Sequence, residues 1–301
     1  MYNKIRMKIS IETKKQIITE YTNDIKSNCL SLSKKYNINH SWVWEIIKKS
    51  GIKPRTNQVI RQKYSIDDSY FTTINSPEKA QILGLIYADG YNHKVKNNLQ
   101  ITLMESDIDY LQYINAAIKN TRPLAFCKKA NINCSNCYKI TAYSSKICED
   151  LEYLGCPQKK SLILKFPTPN QVPNKFLRDF ILGYFEGDGS IQKCKDIYGI
   201  SICGTLEFCN GIREIIKNKL NINPRIAKRH KFSPSNNYTL SFGGGLQILR
   251  FLNWIYKDSV FRMERKYLRY MDLKSKYVSD TSKNRDRIIY EKRVKPYENV
   301  N

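Results

Sequence analysis

Two nonapeptides in this chain are near copies of each other. Ile82-Leu-Gly-Leu-Ile-Tyr-Ala-Asp-Gly90 and Ile181-Leu-Gly-Tyr-Phe-Glu-Gly-Asp-Gly189 align without a gap, so Gly84 meets Gly183, Asp89 meets Asp188 and Gly90 meets Gly189 at a constant offset. An internal repeat at so long a period implies two similar halves sharing one core and one site. Each copy is apolar on nearly every side, which suits a helix buried all round. Gly84 and Ala88 stand four apart in the first copy, and Gly183 and Gly187 do so in the second. Small residues at that spacing clear one helical face and let another backbone approach. Glycine inside a helix costs about 1 kcal/mol relative to alanine, so two such helices are expected to recover that cost by packing on each other through these four residues.

Each motif then ends in a carboxylate, the worst place for one electrostatically, because the C-terminal end of a helix is itself negative. If the two helices pack side by side, Asp89 and Asp188 meet and repel, and one of them tends to protonate. Divalent cations relieve both problems. Few protein ligands, all of them oxygen, suit Mg²⁺, and two such acids in a basic setting fit metal-assisted phosphodiester hydrolysis. A single Asp before a Gly is an ordinary end of a helix; two at matched positions of a duplicated frame are not explained that way.

The setting is basic. The 301 residues include 51 Lys and Arg against 27 Asp and Glu, a net charge of +24, with 41% apolar residues, enough for a core. The charge is spread: residues 1–64 carry 14 basic and 4 acidic side chains, and the excess continues beyond them. A field of that size points to a polyanion, and double-stranded DNA is the expected partner. No apolar run is long enough to span a bilayer and no secretory signal follows Met1, so no membrane role is expected and an intracellular location, wherever the target DNA lies, is. The nine cysteines are then expected as thiols. Cys134-Ser-Asn-Cys137 with Cys127 upstream raises a zinc site, but a fourth ligand would have to come from Cys148, Cys156 or elsewhere.

Periodicity orders the rest. Residues 1–55 read as a small helical unit, with helices near 14–21, 30–36 and 40–49 and a turn at Asn37-Ile-Asn39. This resembles a helix-turn-helix, which implies that Asn39, His40, Ser41 and Trp42 approach base edges; Trp44 is as readily a core residue. Residues 56–73 read as a basic linker, with Arg55 just before it a candidate for the minor groove. In 74–166 the motif helix is followed by two strands, a helix, two strands and a helix. In 167–276 the same order returns, and a basic helix ends it at 262–276. Residues 277–301 read as a charged, frayed tail. The fold class expected is therefore α+β: two pseudo-symmetric αββαββα halves beside a small all-α unit.

With their flanks, Ser76-Pro-Glu-Lys-Ala-Gln before the first motif and Phe176-Leu-Arg-Asp-Phe before the second, the nonapeptides resemble the two LAGLIDADG motifs of a single-chain homing endonuclease. The resemblance covers roughly residues 67–275. It implies a monomeric saddle with an internal pseudo-twofold, a double-strand cut in a long DNA site, and Asp89 and Asp188 as metal-binding acids using Mg²⁺. It also implies a lysine or glutamine beside each metal. Lys146, at a strand-to-helix junction, is the candidate in the first half, while Gly243-Gly-Gly245 stands at the matching place in the second and leaves that helper unassigned. Tyr87 and Glu186 occupy the motif's earlier acidic position, which is not the family's metal ligand. DNA-reading residues are expected on the strands: Tyr91, Asn92, Lys94, Gln100 and Thr102 in one half, Ser190, Gln192, Lys193, Arg225, Lys228 and Arg229 in the other. Two alternatives keep the fold but change the function, a catalytically silent DNA-binding regulator and an intron maturase that binds RNA.

Overall fold

The computed structural model describes residues 9–24, 27–54, 64–129, 135–195, 197–230, 232, 234–259, 261–278 and 284–297. The chain divides into two compact units, Met1–Ser65 and Ile66–Asn301.

The first unit has three helices, α1 (Ile11–Asn23), α2 (Cys29–Lys35) and α3 (His40–Lys49). Each begins on a side chain that takes an otherwise unpaired backbone N–H: Ser10 for α1, Asn28 in a reciprocal capping box with Ser31 for α2, and Asn39 for α3. Ile17, Tyr21, Cys29, Leu32, Val43 and Ile47 close a core between them. Trp44 lies on the outside with the Lys48 ammonium 4.8 Å from its ring, so it is not a core residue.

The second unit opens with residues the sequence assigns to the linker. Tyr70 and Phe71 are buried in its core, next to Ile74 of the first half, because this stretch is apolar enough to join it. Then comes α4 (Pro77–Asp89), started by Ser76 and Pro77, followed by β1 (Gly90–His93), β2 (Asn98–Met104), α5 (Ile108–Ala117), β3 (Ala125–Cys127), β4 (Cys137–Tyr143) and α6 (Ser145–Tyr153). The second half repeats the order with α7 (Leu177–Asp188), β5 (Gly189–Cys194), β6 (Ile197–Gly204), α8 (Leu206–Leu220), β7 (Arg225–Lys228), β8 (Tyr238–Gly243) and α9 (Gly245–Tyr256). The sheets are antiparallel with matching orders, β1-β2-β4-β3 and β5-β6-β8-β7. Even the registers correspond: Gly90 faces Ile101 and Gly189 faces Ile202.

Alternation sets what each sheet shows. Leu99, Ile101, Ile140 and Ala142 turn to the core of the first sheet, as Ile191, Ile200, Ile202, Leu240 and Phe242 do in the second. The opposite faces carry polar side chains.

Beyond α9 lie α10 (Glu264–Val278) and α11 (Asn284–Arg293). The latter falls in the segment expected as a frayed tail. Tyr290 and Val294 recur at helical spacing and are buried in the main core, and that is enough to dock the segment.

Candidate active site

Helices α4 and α7 pack backbone to backbone at the center of the second unit. A Cβ built on Gly84 would lie 2.0 Å from the Phe180 carbonyl oxygen, and one on Gly183 would lie 1.8 Å from that of Gln81. The contacts are reciprocal, since Phe180 stands three residues before Gly183 and Gln81 three before Gly84. No side chain fits at either place. Further along, a Cβ on Gly187 would meet the Ala88 methyl at 2.4 Å and Asp89 Oδ2 at 2.8 Å. The small residues thus bring the helices together and carry that contact down to the carboxylates.

Asp89 and Asp188 end the two helices, Asp89 exposed and Asp188 half-buried, close enough to interact. Desolvation first, and then repulsion from Asp188, push the Asp89 carboxyl up to about 6. Burial also raises Asp188, opposed by the Tyr184 hydroxyl beside it and by Lys160, Lys266 and Arg229. That hydroxyl is shared, for it also lies 2.8 Å from the Cys203 carbonyl oxygen.

Two buried lysines close the helix ends. Lys160 Nζ donates to the carbonyls of Gly90 at 2.5 Å and Ala88 at 3.4 Å. Lys266 Nζ, from α10, donates to Phe185 at 2.6 Å, Glu186 at 2.5 Å and Gly189 at 2.6 Å. A cation at a helix C-terminus is well placed. Burial lowers the pKa of both.

Lys146 does not reach this site. Its ammonium bonds Asp150, one turn along α6, and lies 3.3 Å from Thr72 Oγ1. The basic neighbours of Asp89 and Asp188 are instead Lys160, Lys266, Arg265 and Arg229, so the sequence assignment of Lys146 is corrected. The second half does hold a lysine, supplied by the helix after it rather than by Gly243-Gly-Gly245. A signal was present: Lys159-Lys160 and Arg265-Lys266 are basic pairs, each following the last helix of a half.

The motif's earlier acidic position differs between halves. Tyr87 donates its hydroxyl hydrogen to the Leu154 carbonyl. Glu186, fully buried, accepts from the Tyr256 hydroxyl and the Met263 N–H, each at 2.9 Å. Burial raises its pKa against the pull of Lys266.

The expected DNA-reading residues separate by face. Tyr91, Gln100 and Thr102 stand on the open face of the first sheet, and Ser190, Gln192 and Arg225 on that of the second, by their alternation with core residues. Lys139, Thr141, Ser201, Thr239 and Ser241 join them on strands the sequence reading passed over. Asn92 does not. It points inward and donates to the Cys148 and Cys156 carbonyls at 2.9 and 3.0 Å, because it shares the parity of Gly90. Lys193 shares the parity of Ile191 and pairs with Asp272 of α10 at 2.7 Å. Lys94 pairs with Glu152 beyond the end of β1, and Lys228 falls on the Ile226 side of β7. Arg229 lies past β7, close enough to act on Asp188. In the first unit His40, Ser41 and Trp42 are exposed on α3, whereas the Asn39 side chain is occupied as its cap. Arg55 and Cys134 lie outside the described residues.

Residues 175–256 match the LAGLIDADG-like domain. The match lies within the second half, and the first half repeats that half's element order, sheet order, register and motif-helix contact. Among solved structures the chain is similar to the homing endonuclease I-WcaI bound to its DNA recognition sequence (16% identity, 73% of this chain and 96% of that one, TM-score 0.49). It is also similar to the meganuclease I-SmaMI bound to uncleavable DNA (14%, 73% and 96%, 0.41) and to the N-terminal LAGLIDADG domain of DUF199/WhiA (17%, 63% and 89%, 0.41). A search of curated proteins returns no match. No helix among the described residues is long and apolar enough to cross a membrane.

Proposed function

We propose that this chain is a site-specific DNA endonuclease of the LAGLIDADG homing type, cutting both strands by metal-dependent hydrolysis. The observation that carries this reading is the pair Asp89 and Asp188, brought together at the ends of two packed helices, open to solvent, and each flanked by a buried lysine. A pair of carboxylates held together against their mutual repulsion calls for a function that uses it.

The donor set fits a hard divalent cation such as Mg²⁺. Both candidate ligands are carboxylates, and among the described residues no cluster of three or more His, Cys, Asp or Glu competes for a softer metal. Asp89 and Asp188 would hold the metal. When bound, it supplies charge stabilization for the attacking and leaving oxygens of the phosphodiester. Lys160 and Lys266 add positive charge at the same helix ends. Their burial makes them readier to release a proton than exposed lysines, so each can donate one to a departing oxygen.

The open faces of the two sheets provide the binding surface. Gln100, Gln192 and Arg225 can read base edges, and Lys139 can hold phosphate. The first unit adds the exposed face of α3 as a second DNA-contacting module.

Purified chain with Mg²⁺ should cut one long sequence from a randomized duplex library. Asp89→Asn and Asp188→Asn should each stop cleavage while sequence-specific binding persists. Specific binding without cleavage by the unaltered protein would leave a DNA-binding regulator, and selective binding of intron RNA would leave a maturase. Deletion of residues 1–64 should weaken DNA affinity and make it less dependent on salt.

A further inference from the structure

The open face of the first sheet carries a feature that the second lacks. Strand β3 is the three-residue edge of its sheet, and its last residue, Cys127, is the register partner of Cys137 at the start of β4. Directly opposed residues of an antiparallel pair point to the same face, with Cα atoms about 4.5 or 5.5 Å apart depending on the hydrogen-bonding site. Both separations fall within the range of about 4.4–6.8 Å that a disulfide spans. Cys127 and Cys137 alternate with Phe126 and Tyr138, whose rings pack together on the core side, so the two thiols stand on the open face. Both are free and partly exposed. Each thiol contacts a carbonyl two residues back in its own chain, Ala125 at 3.7 Å and Ser135 at 3.5 Å, contacts weak enough to give up on rotation of the side chain.

The other described cysteines do not share this arrangement. Cys29, Cys148, Cys156 and Cys209 are buried, Cys203 opposes Thr239, and Cys194 opposes Ile197. The matching position of the second sheet holds Ala227 opposite Thr239.

We propose that Cys127 and Cys137 are a modification site: a reversible cross-strand disulfide that ties the edge strand β3 to β4. With a small-molecule disulfide as oxidant, one thiolate attacks the oxidant and releases one thiol. The second thiolate then attacks the mixed disulfide, forming the Cys127–Cys137 bond and releasing the other thiol. The two cysteines lose two electrons and two protons, and the oxidant gains them. Closing the short loop between the strands restricts the edge strand further and fixes the end of the sheet.

The test uses the full chain, without DNA, both unaltered and as Cys134→Ser. Each is treated with oxidized glutathione, its remaining thiols are alkylated, and it is digested with trypsin. Cleavage after Lys128 and Lys129 separates Cys127 from Cys137. The expected result in both proteins is a linked pair of peptides holding these two cysteines, about 2 Da lighter than their sum and released by dithiothreitol. Cys137→Ser should leave Cys127 open to alkylation, and amide exchange across Ala125–Cys127 should slow in the oxidized unaltered chain. Independent glutathione adducts on the two cysteines, or pairing of Cys127 with Cys134 in the unaltered chain, would overturn the assignment. The bond forms or fails in the free protein, so this outcome is independent of whether the chain cuts DNA.

Discussion

The two halves of the second unit close the same motif by different means. In the first, Tyr87 ends on a backbone carbonyl, and Lys160 reaches α4 from the segment joining the halves. In the second, Glu186 is an acid sealed from water, satisfied by Tyr256 and Met263, with Lys266 as its countercharge. The first closure contains no buried acid. The second is ionic and depends on α10, which follows residue 256, where the LAGLIDADG match ends. That helix is also tied to the first half: Arg265 Nε bonds the buried Asp107 at 3.0 Å, and just before it Phe261 stacks on Tyr113 at 4.1 Å and its carbonyl accepts from Gln81. Duplication preserved the helix contact and the carboxylates, and left each half to find its own way of ending the motif helix.

The helix contact should treat the halves alike. Gly84→Ala and Gly183→Ala each force a methyl into a backbone carbonyl, and each should destabilize the second unit by about 4 kcal/mol or more in chemical denaturation. A large loss at one glycine and not the other would break the pseudo-symmetry.

The closures should not behave alike. Lys266→Met strands Glu186 without its countercharge and should cost about 3 kcal/mol. Lys160→Met removes hydrogen bonds and a cation near the solvent-open Asp89 and Asp188, but strands no fully buried acid, and should cost about half as much. Adding Glu186→Gln to Lys266→Met should recover most of the difference. If the single variants lose equal stability, the second closure is not ionic in effect.

Proton linkage sharpens the contrast at the carboxylates. Asp89 titrates near 6 in the folded chain and near 3.8 when unfolded. Between those values the folded state holds a proton that the unfolded state has released. Without a divalent cation, stability should therefore fall as pH rises from about 4 to about 6, and stay low above that. Asp89→Asn in chelator should gain stability at pH 7 and nothing near pH 4, by less than the full shift implies because the carboxylate is exposed to solvent. Mg²⁺ should reduce that gain. If the acid binds the metal, cleavage should fail as pH drops through about 6.

The smallest effect belongs to Lys146. Its pair with Asp150 is partly exposed and within one helix, so Lys146→Ala should cost about 0.5 kcal/mol. Cleavage should change much less than with Lys160→Met.

Local pattern carried a great deal. Spacing alone marked the repeated helices, the strands after them and the small residues between them, because periodicity records which side of an element is buried. Where the reading went astray, one step of alternation was the usual cause. Asn92 and Lys193 lie beside true open-face residues, but their parity turns Asn92 inward and places Lys193 against α10. Lys146 failed for another reason: a helix start looks the same in sequence whether its lysine reaches the carboxylates or pairs with an aspartate one turn on.

By itself, then, the sequence determined that two helices must touch and that two acids must meet where they end, since a glycine contact and a helix terminus are properties of nearby residues. Tertiary structure decided which cations stand beside those acids. Lys160 follows Asp89 by 71 residues and Lys266 follows Asp188 by 78, and no local pattern encodes the loop paths that return them to the helix ends. Only packing brings them there, where burial strips them of water and the carbonyls at each helix end supply the partners that water no longer can.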